Sequence, residues 1–170
     1  MIPTGTAKEA WLVNNPALGS YLLWTLTLES FNRTKRPVHP SKLFCLFPFV
    51  YYSDTRGILS STGIVSNLHA FISKFSTTKS CSTDIALSIH YRIDEQKEKT
   101  LEAIITALDS GLLILDTESG LITPNTRLKP QKRSELNDSS LELYDCARKL
   151  GRWLADLSPE DIKRTIKVVF

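Results

Sequence analysis

One stretch in the second half of the chain combines a helix with a β-hairpin. Gly111 is the expected end of the helix, because glycine readily adopts the left-handed conformation that closes many helices. Residues 112–115 then favour a β-strand, residues 116–120 (DTESG) an acidic turn, and residues 121–123 a return strand that stops at Pro124. The helix itself is predicted from apolar residues at helical spacing: Leu101, Ile104, Ile105 and Leu108.

The order of these elements is that of the third helix and wing of a winged helix. We therefore predict a mainly α-helical chain with a small β-hairpin, in which a winged-helix-like core covers about residues 41–126. A C-terminal region of helices and a short strand follows over about residues 134–170. At 170 residues the chain fits a single domain, residues 1–170, with enough apolar side chains for a core.

A helix with a clear start precedes this core. Asn15 can cap the first free backbone amides, and Pro16 suits the first helical position, where its missing N–H costs nothing. The helix is expected to reach about Phe31. Periodicity alone leaves a strand open, because apolar residues alternate with threonines over residues 24–28, but the cap favours the helix.

Two further helical segments are predicted before residue 76. Ser41 is the expected cap of an apolar segment through Tyr52, in which Pro48 must kink or end a helix because it removes a backbone hydrogen bond. The second segment is predicted from six apolar residues at helical spacing: Ile64, Val65, Leu68, Phe71, Ile72 and Phe75.

The sequence then predicts a loop, a short helix and a joint. Residues 76–82 are rich in serine and threonine and favour a loop, after which Thr83 can cap a helix. Residues 94–99 form a charged joint to the helix before the hairpin. The short helix is expected to bury three side chains: Ile85, Ile89 and Ile93.

The C-terminal region carries the strongest helical stripe. Ser158 is the expected cap of a last short helix, with Pro159 in its first turn, and residues 167–170 favour a terminal strand. We take every stripe as core first, because core packing is the common reason for such a pattern. The residues of this stripe are Leu143, Cys146, Ala147, Leu150, Trp153, Leu154 and Leu157.

Part of that stripe is also a candidate for docking a partner protein. Tryptophan is favoured at interface hot spots, so Trp153 with Leu150 and Leu154 could contact another subunit. The alternative is that Trp153 simply closes the core over the winged helix. The sequence leaves both open.

Two basic segments could contact DNA. Residues 32–40 contain two prolines among basic residues, and residues 127–133 form a linker without an acidic side chain. An ordinary solvated connection is the alternative for the first. The net charge of +3 permits a polyanion partner but falls short of that of a dedicated nucleic-acid binder. The candidate DNA-contacting residues are Arg33, Lys35, Arg36, Arg127, Lys129, Lys132 and Arg133.

No motif for catalysis, a cofactor or a metal is found. The sequence lacks the common phosphate-binding, metalloprotease and hydrolase motifs, and its histidines are isolated from one another. The three cysteines form no C-x-x-C pair, which favours reduced thiols. Asp84 with Glu95 and Lys97 superficially matches a metal-dependent nuclease, but those carboxylates would have to converge on one ion. We therefore expect no enzymatic activity, no cofactor and no metal.

The sequence also bears on location. The N-terminus lacks the order of charged and apolar residues of a signal peptide, and the longest apolar run, residues 43–52, is half a membrane span and contains Pro48. We expect a cytoplasmic protein that does not enter a membrane.

Two motifs and several shorter matches resemble one protein family. The motifs are residues 14–19 (NNPALG) and residues 151–162 (GRWLADLSPEDI); the shorter matches, in the same order, are His39-Pro40, Phe47-Pro48, Ser110-Gly111-Leu112-Leu113, and Ile122 two residues before Pro124. This pattern, from Trp11 to Phe170, resembles the middle component of three-component ABC systems. Phe47 departs from the leucine usual in that family.

The resemblance implies a function as well as a fold. Members are encoded between an SMC-like ABC ATPase and an effector, often a nuclease, in bacterial anti-phage defence operons of the Lamassu type. They are similar to non-enzymatic winged-helix adaptors, and the resemblance supports a helix after Asn15. The expected role is to join ATPase and effector and to restrain the effector until foreign DNA is sensed.

Two alternatives remain. A winged-helix transcription regulator is the first, although Asp116 and Glu118 at the wing tip would meet DNA phosphates. A small nuclease that uses Glu95 and Lys97 is the second.

Overall fold

The computed structural model describes residues 15–77 and 84–166, without the side chains of residues 75–77 and 84–87. The described chain is mainly α-helical with one two-stranded hairpin, which confirms the predicted fold class. Its elements are α1 (Pro16–Thr34), a 3-10 turn (Pro40–Cys45), α2 (Leu46–Val50), α3 (Ser53–Ser61), α4 (Leu68–Thr77), α5 (Asp84–Glu95), α6 (Lys97–Asp109), β1 (Leu113–Leu115), β2 (Ile122–Pro124), a second 3-10 turn (Arg133–Glu135), α7 (Asp138–Ala155) and α8 (Pro159–Ile166).

The helix α1 is the centre of the fold. It starts as predicted, with the Asn15 side chain accepting a hydrogen bond of 3.0 Å from the Leu18 amide, and it runs three residues beyond the expected end. Its most extensive contact is with α7 and the next is with α6. The domain therefore places the predicted C-terminal region directly on a helix that precedes residue 41.

Burial on nearly all sides explains the alternating residues of α1. The Thr25 and Thr27 hydroxyls are buried, and they donate hydrogen bonds of 2.9 Å and 2.8 Å to the carbonyls of Tyr21 and Leu23. A threonine can thus enter the core of a helical protein when its hydroxyl bonds to the preceding turn. The strand-like alternation reflects a helix without a solvent face.

Two glycines let α1 approach its neighbours. A Cβ atom on Gly151 of α7 would lie 2.2 Å from the Leu26 carbonyl oxygen of α1. A Cβ atom on Gly19 would lie 2.9 Å from the Phe47 ring and 3.1 Å from the Ala103 side chain. Both glycines belong to the motifs that carry the family resemblance, and their role is close packing of helices.

The hairpin lies where the sequence predicts it. Leu113 pairs with Pro124 and Leu115 with Ile122, and Gly111 ends the preceding helix with a φ of 70°. A single residue extends the sheet on the other side, because Val38 and Ile122 exchange hydrogen bonds of 2.7 Å and 2.9 Å. Val38, Leu113 and Ile122 are buried and join the hairpin to the core.

The predicted helix from Ile64 to Phe75 is wrong at its start. The Asn67 side chain accepts a hydrogen bond of 2.8 Å from the Ala70 amide, so the helix α4 begins at Leu68. Ile64 and Val65 lie in the turn before it, and Val65 is 89% exposed. The sequence analysis also missed α3, whose composition is mostly polar.

The apolar segment around Pro48 also differs from the expectation. His39, not Ser41, caps it: the imidazole Nδ1 accepts a hydrogen bond of 3.3 Å from the Ser41 amide at the start of the first 3-10 turn. Pro48 neither kinks nor ends a helix, because it lies in the first turn of α2, where the N–H that proline lacks would have no helical partner.

The predicted charged joint between α5 and α6 is a single residue, Gln96, and it is buried. The stripe of α6 is only partly core. Ile104 is buried, but Leu101 and Ile105 are 44% and 57% exposed, which contradicts their prediction as core residues. The buried face of α6 consists mainly of small side chains: Thr100, Ala103 and Ala107.

The last two helices confirm the sequence analysis. Asn137 caps α7 through a hydrogen bond of 2.9 Å from the Ser140 amide. Ser158 and Asp161 form a reciprocal cap at the start of α8, with distances of 3.1 Å and 3.2 Å. The helix α4 continues through Thr77 into the predicted loop, whereas Thr83 and the predicted strand at 167–170 lie outside the described residues.

Candidate functional site

A basic cleft lies where the end of α1 meets the joint between α7 and α8. Its volume is about 510 Å³. The last turn of α1, the loop after it, the first 3-10 turn and β2's flanking residue Leu121 form the other walls. Three cationic side chains line it: Arg33, Arg36 and Lys42. The structure thus brings two of the candidate DNA-contacting residues together with one that the sequence analysis did not consider.

The two arginines of the cleft differ in their surroundings. The Arg33 Nε lies 2.5 Å from the Asp156 carboxylate, and both side chains are partly exposed. Arg36 is exposed on the loop after α1. Between them Lys35 closes α1 in a left-handed conformation with a φ of 56°, and its ammonium lies 5.8 Å from the centre of the Phe31 ring.

Lys42 is a buried cation beneath the cleft. Its Nζ donates hydrogen bonds of 2.8 Å to the Leu154 carbonyl and 3.3 Å to the Ala155 carbonyl. These carbonyls end α7, where the helix dipole favours a positive charge. Burial lowers the pKa of the Lys42 ammonium, and the nearby Asp156 carboxylate offsets part of that shift. A weak signal for this role is visible in the sequence, since Lys42 stands directly before the apolar run of residues 43–52.

The second basic segment lies beside the same end of α1. Arg127 lines a groove of about 480 Å³ that also includes Phe31 and Ile114. The Gln131 amide donates a hydrogen bond of 3.1 Å to the Tyr21 hydroxyl, and Arg133 forms a fork with Asp145 at 2.5 Å and 2.9 Å. All seven DNA candidates are exposed. Arg33 and Arg133 form ion pairs with carboxylates, and the other five are Lys35, Arg36, Arg127, Lys129 and Lys132.

The three candidate docking residues lie in the core. Leu150 and Leu154 are fully buried, and Trp153 is 5% exposed. The Trp153 Nε1 donates a hydrogen bond of 3.1 Å to the Ile64 carbonyl, and its ring packs against Phe71 at 5.6 Å between centres. The hypothesis that these residues form a docking surface therefore needs correction, because their side chains pack inside this chain and leave too little surface for a partner.

The apolar surface lies instead on α6. Its exposed residues fall on one face at helical spacing, with Leu101 and Ile105 in the middle. Three exposed acidic residues share that helix: Glu98, Glu102 and Asp109. We call the side chains of these five residues the α6 face. Its apolar pair is visible in the sequence, but only the packing of α6 on α1 reveals that it points outwards.

The tip of the hairpin adds further negative charge. The Asp116 carboxylate accepts hydrogen bonds of 2.5 Å from the Ser119 hydroxyl and 3.0 Å from the Glu118 amide. These bonds hold the pKa of Asp116 below its usual value. The carboxylate therefore shapes the turn and remains charged at neutral pH.

The nuclease-like residues do not form a site. Asp84 and Glu95 are the first and last residues of the 12-residue helix α5, so their backbones lie about 16 Å apart. The Glu95 carboxylate accepts a hydrogen bond of 2.8 Å from the Tyr52 hydroxyl. This separation is too large for two carboxylates that must share one ion.

The cysteines in the described part of the chain are inert. Cys45 and Cys146 are buried and free, and burial raises the pKa of each thiol to about 12. Over residues 15–77 and 84–166, no three His, Cys, Asp or Glu side chains lie close enough to hold a metal ion. In the same residues no helix has the length and apolarity needed to cross a membrane.

Comparison with known proteins identifies the family. Residues 5–170 match the family described as ABC-three component (ABC-3C) system Middle Component 3. The chain therefore belongs to this family, and it is a middle component of a multi-subunit system. No curated protein and no solved structure matches it.

Proposed function

We propose that this chain is a non-enzymatic accessory subunit that links an SMC-like ABC ATPase to an effector, often a nuclease. The complex would be a cytoplasmic bacterial defence system of the Lamassu type, directed against phages or plasmids. In it the chain helps to restrain the effector until foreign DNA is sensed. The observation that carries this proposal is membership, over residues 5–170, in a family of middle components.

The proposed core of the adaptor is a winged helix. In this arrangement α1 is the first helix, Val38 the first strand, α6 the third helix, and β1 and β2 the wing. The hydrogen bonds between Val38 and Ile122 support it, because they add a third strand to the hairpin from the segment that follows α1. The helices α2 to α5 lie between the first strand and the third helix, so the second helix of the winged helix would be one of them and the others would be an insertion.

The charge of the α6 face favours a protein partner. In a winged-helix transcription regulator the third helix enters the major groove between two rows of phosphates. Here that helix exposes Glu98, Glu102 and Asp109 against one exposed cation, Lys97, and this net negative charge would repel phosphates. The α6 face suits a partner segment whose apolar side chains contact Leu101 and Ile105 and are flanked by Lys or Arg.

Any DNA contact is proposed for the basic end of the molecule. The seven exposed candidates lie around the end of α1 and along the linker before α7. Such contacts to phosphates are independent of base sequence and weaken steeply with salt. The adaptor would thus present DNA and protein partners with different surfaces.

Co-purification tests the proposed role. The tagged chain, expressed from its native operon, is expected to bring down a large coiled-coil ATPase and the effector. Recovery of the chain alone under gentle lysis, or selective binding of the purified chain to one operator sequence, would favour a transcription regulator instead.

The lack of enzymatic activity needs a separate test. The isolated chain is expected neither to cleave DNA nor to hydrolyse ATP. Mg²⁺-dependent nicking that disappears in Glu95→Ala, and persists in the neighbouring control Glu98→Ala, would support the nuclease alternative.

Charge neutralisation tests the proposed DNA surface in the assembled complex. Replacement of five exposed basic residues by glutamine is expected to lower DNA affinity at every sequence and to flatten its salt dependence. The five positions are Lys35, Arg36, Arg127, Lys129 and Lys132. If the DNA affinity were unchanged, these residues would not contact DNA.

A further inference from the structure

The basic cleft has the volume of a ligand site. Its volume of about 510 Å³ falls in the range of small-molecule sites, and residues from several separate elements line it. A DNA duplex lying on a protein surface needs no such cavity. The cleft therefore calls for an explanation beyond general attraction to DNA.

Positive charge converges in this cleft. Arg33 extends from the last turn of α1, Arg36 from the loop after it, and Lys42 from the first 3-10 turn. Asp156 is the one carboxylate among the described residues that line the cleft. The net charge of the lining residues is thus +2, before any contribution from His39.

The Lys42 ammonium is fixed as the positive floor of the cleft. It is 8% exposed, and two backbone carbonyls of α7 hold it in place. Carbonyl groups accept its hydrogen bonds, but the only opposite charge near it among the described residues is the Asp156 carboxylate, which offsets just part of the effect of burial. A bound anion would lower the cost of keeping that charge out of water.

In the free chain the Asp156 carboxylate occupies part of the space beside Arg33 that such an anion would fill. It lies 2.5 Å from Arg33, at the start of the joint that leads into α8. Because this ion pair is partly exposed, it contributes little stability and can exchange for a stronger anion. A phosphate group offers more acceptor oxygens than one carboxylate, and arginine forks suit its geometry.

We propose that the cleft binds a phosphate group between Arg33 and Arg36, above Lys42, and that this group displaces Asp156 from Arg33. The phosphate could belong to a free nucleotide or to the backbone of a nucleic-acid strand. Arg33 and Arg36 also belong to the proposed DNA surface, so the inference deepens the proposed function at this site. It requires no ATPase or effector, and the isolated chain can test it.

The test is calorimetric titration of the isolated chain at low ionic strength with pyrophosphate, ATP and a short single-stranded oligonucleotide. Arg36→Gln is expected to weaken binding about tenfold or more, because it removes a charge-assisted contact. The control Lys97→Gln makes the same charge change at an exposed residue of α6, outside both the cleft and the proposed DNA surface, and should alter affinity by less than about twofold.

A second pair of variants tests the carboxylate of the cleft, and here we expect tighter binding. Asp156→Asn is expected to strengthen binding several-fold, since it frees Arg33, whereas Asp109→Asn on α6 adds the same charge elsewhere and should not. Thermal melting of each variant checks that the fold is intact, which we expect because all four side chains are exposed.

The outcomes separate the two sources of the phosphate. Binding of pyrophosphate or ATP with these responses supports a free phosphate compound as ligand, and binding of the oligonucleotide alone supports a nucleic-acid strand. The proposal is overturned if none of the three binds, if Lys97→Gln weakens binding as much as Arg36→Gln, or if Asp156→Asn and Asp109→Asn act alike. Co-purification with the ATPase is a separate measurement, so failure here leaves the adaptor role to its own test.

Discussion

The helices α6 and α7 both pack against α1 and both carry apolar stripes, yet they use them in opposite ways. On α7 the large residues Leu150, Trp153 and Leu154 face the core. On α6 the large residues Leu101 and Ile105 face outwards, although Ile104 is buried. One stripe therefore builds the fold, while half of the other remains available at the surface.

The two helices differ in where small residues lie on the face that contacts α1. Small residues line the α6 side of its contact, where Ala103 lies within reach of Gly19, so there is no room for a leucine. The helix α7 needs only one small residue, Gly151, at the point of closest approach, and large side chains fill the space on either side. When small residues fill most of the buried face of a helix, as on α6, larger apolar residues can face solvent or a partner.

The largest expected effect tests the α7 half of this comparison. Trp153→Ala should cost about 3–5 kcal/mol, because it leaves a cavity beside Phe71 and an unpaired Ile64 carbonyl. The melting temperature of the isolated chain should fall by roughly 10 °C. The control Trp153→Phe keeps a ring and loses only the hydrogen bond, so it should cost less. If Trp153→Ala melted at the same temperature as the wild type, the account of Trp153 as a core residue would be contradicted.

The close crossing itself is tested by Gly151→Ala. The new methyl group would collide with the Leu26 carbonyl, so the helices must separate at a cost of about 1–3 kcal/mol or more. The control is Gly57→Ala in α3, where a Cβ atom meets nothing within 4 Å and should stabilise the helix by about 0.5–1 kcal/mol. Chemical denaturation measures both. Equal stability of the two variants would contradict the proposed role of Gly151.

A smaller effect concerns the ion pair that joins α5 to α3. Burial raises the pKa of Asp54, but hydrogen bonds from the Arg92 guanidinium and the Thr55 amide outweigh it, so the pKa lies below its usual value. A lowered pKa in the folded state contributes stability that is present above about pH 4, near the unfolded pKa, and is lost as the pH falls further. Because the pair is partly exposed, we expect less than about 1 kcal/mol.

Melting curves between neutral and acidic pH check this expectation. The wild type should lose more stability below about pH 4 than Asp54→Asn, which lacks the titrating carboxyl. If the stability of the two proteins changed with pH in the same way, the ion pair between Asp54 and Arg92 would not contribute to stability.

Local chemistry made much of the fold predictable. Asn15, Gly111 and Ser158 mark helix ends through interactions within a few residues, and the structure confirms all three. Asn67 is a cap of the same local kind, but the apolar residues Ile64 and Val65 led to the prediction of an earlier start.

Contacts between distant residues were not predictable. The bridge from Val38 to Ile122 and the bonds from Lys42 to α7 join segments far apart in the sequence. The basic cleft depends on such contacts, so the sequence could supply Arg33 and Arg36 but not their arrangement with Lys42 and Asp156. The direction of the α6 stripe depends in the same way on the fit between α6 and α1.

The most direct test of the account is the double variant Leu101→Lys, Ile105→Lys in the tagged chain expressed from its native operon. Both side chains are exposed, so the isolated variant should keep its stability to within about 1 kcal/mol. The control variant Val65→Lys, Leu128→Lys makes the same changes at exposed apolar residues outside the α6 face.

We predict that the α6 variant no longer co-purifies with at least one of its two partner subunits, the ATPase or the effector, while the control variant retains both. The account would be contradicted if the α6 variant is folded and recovers both subunits in wild-type amounts.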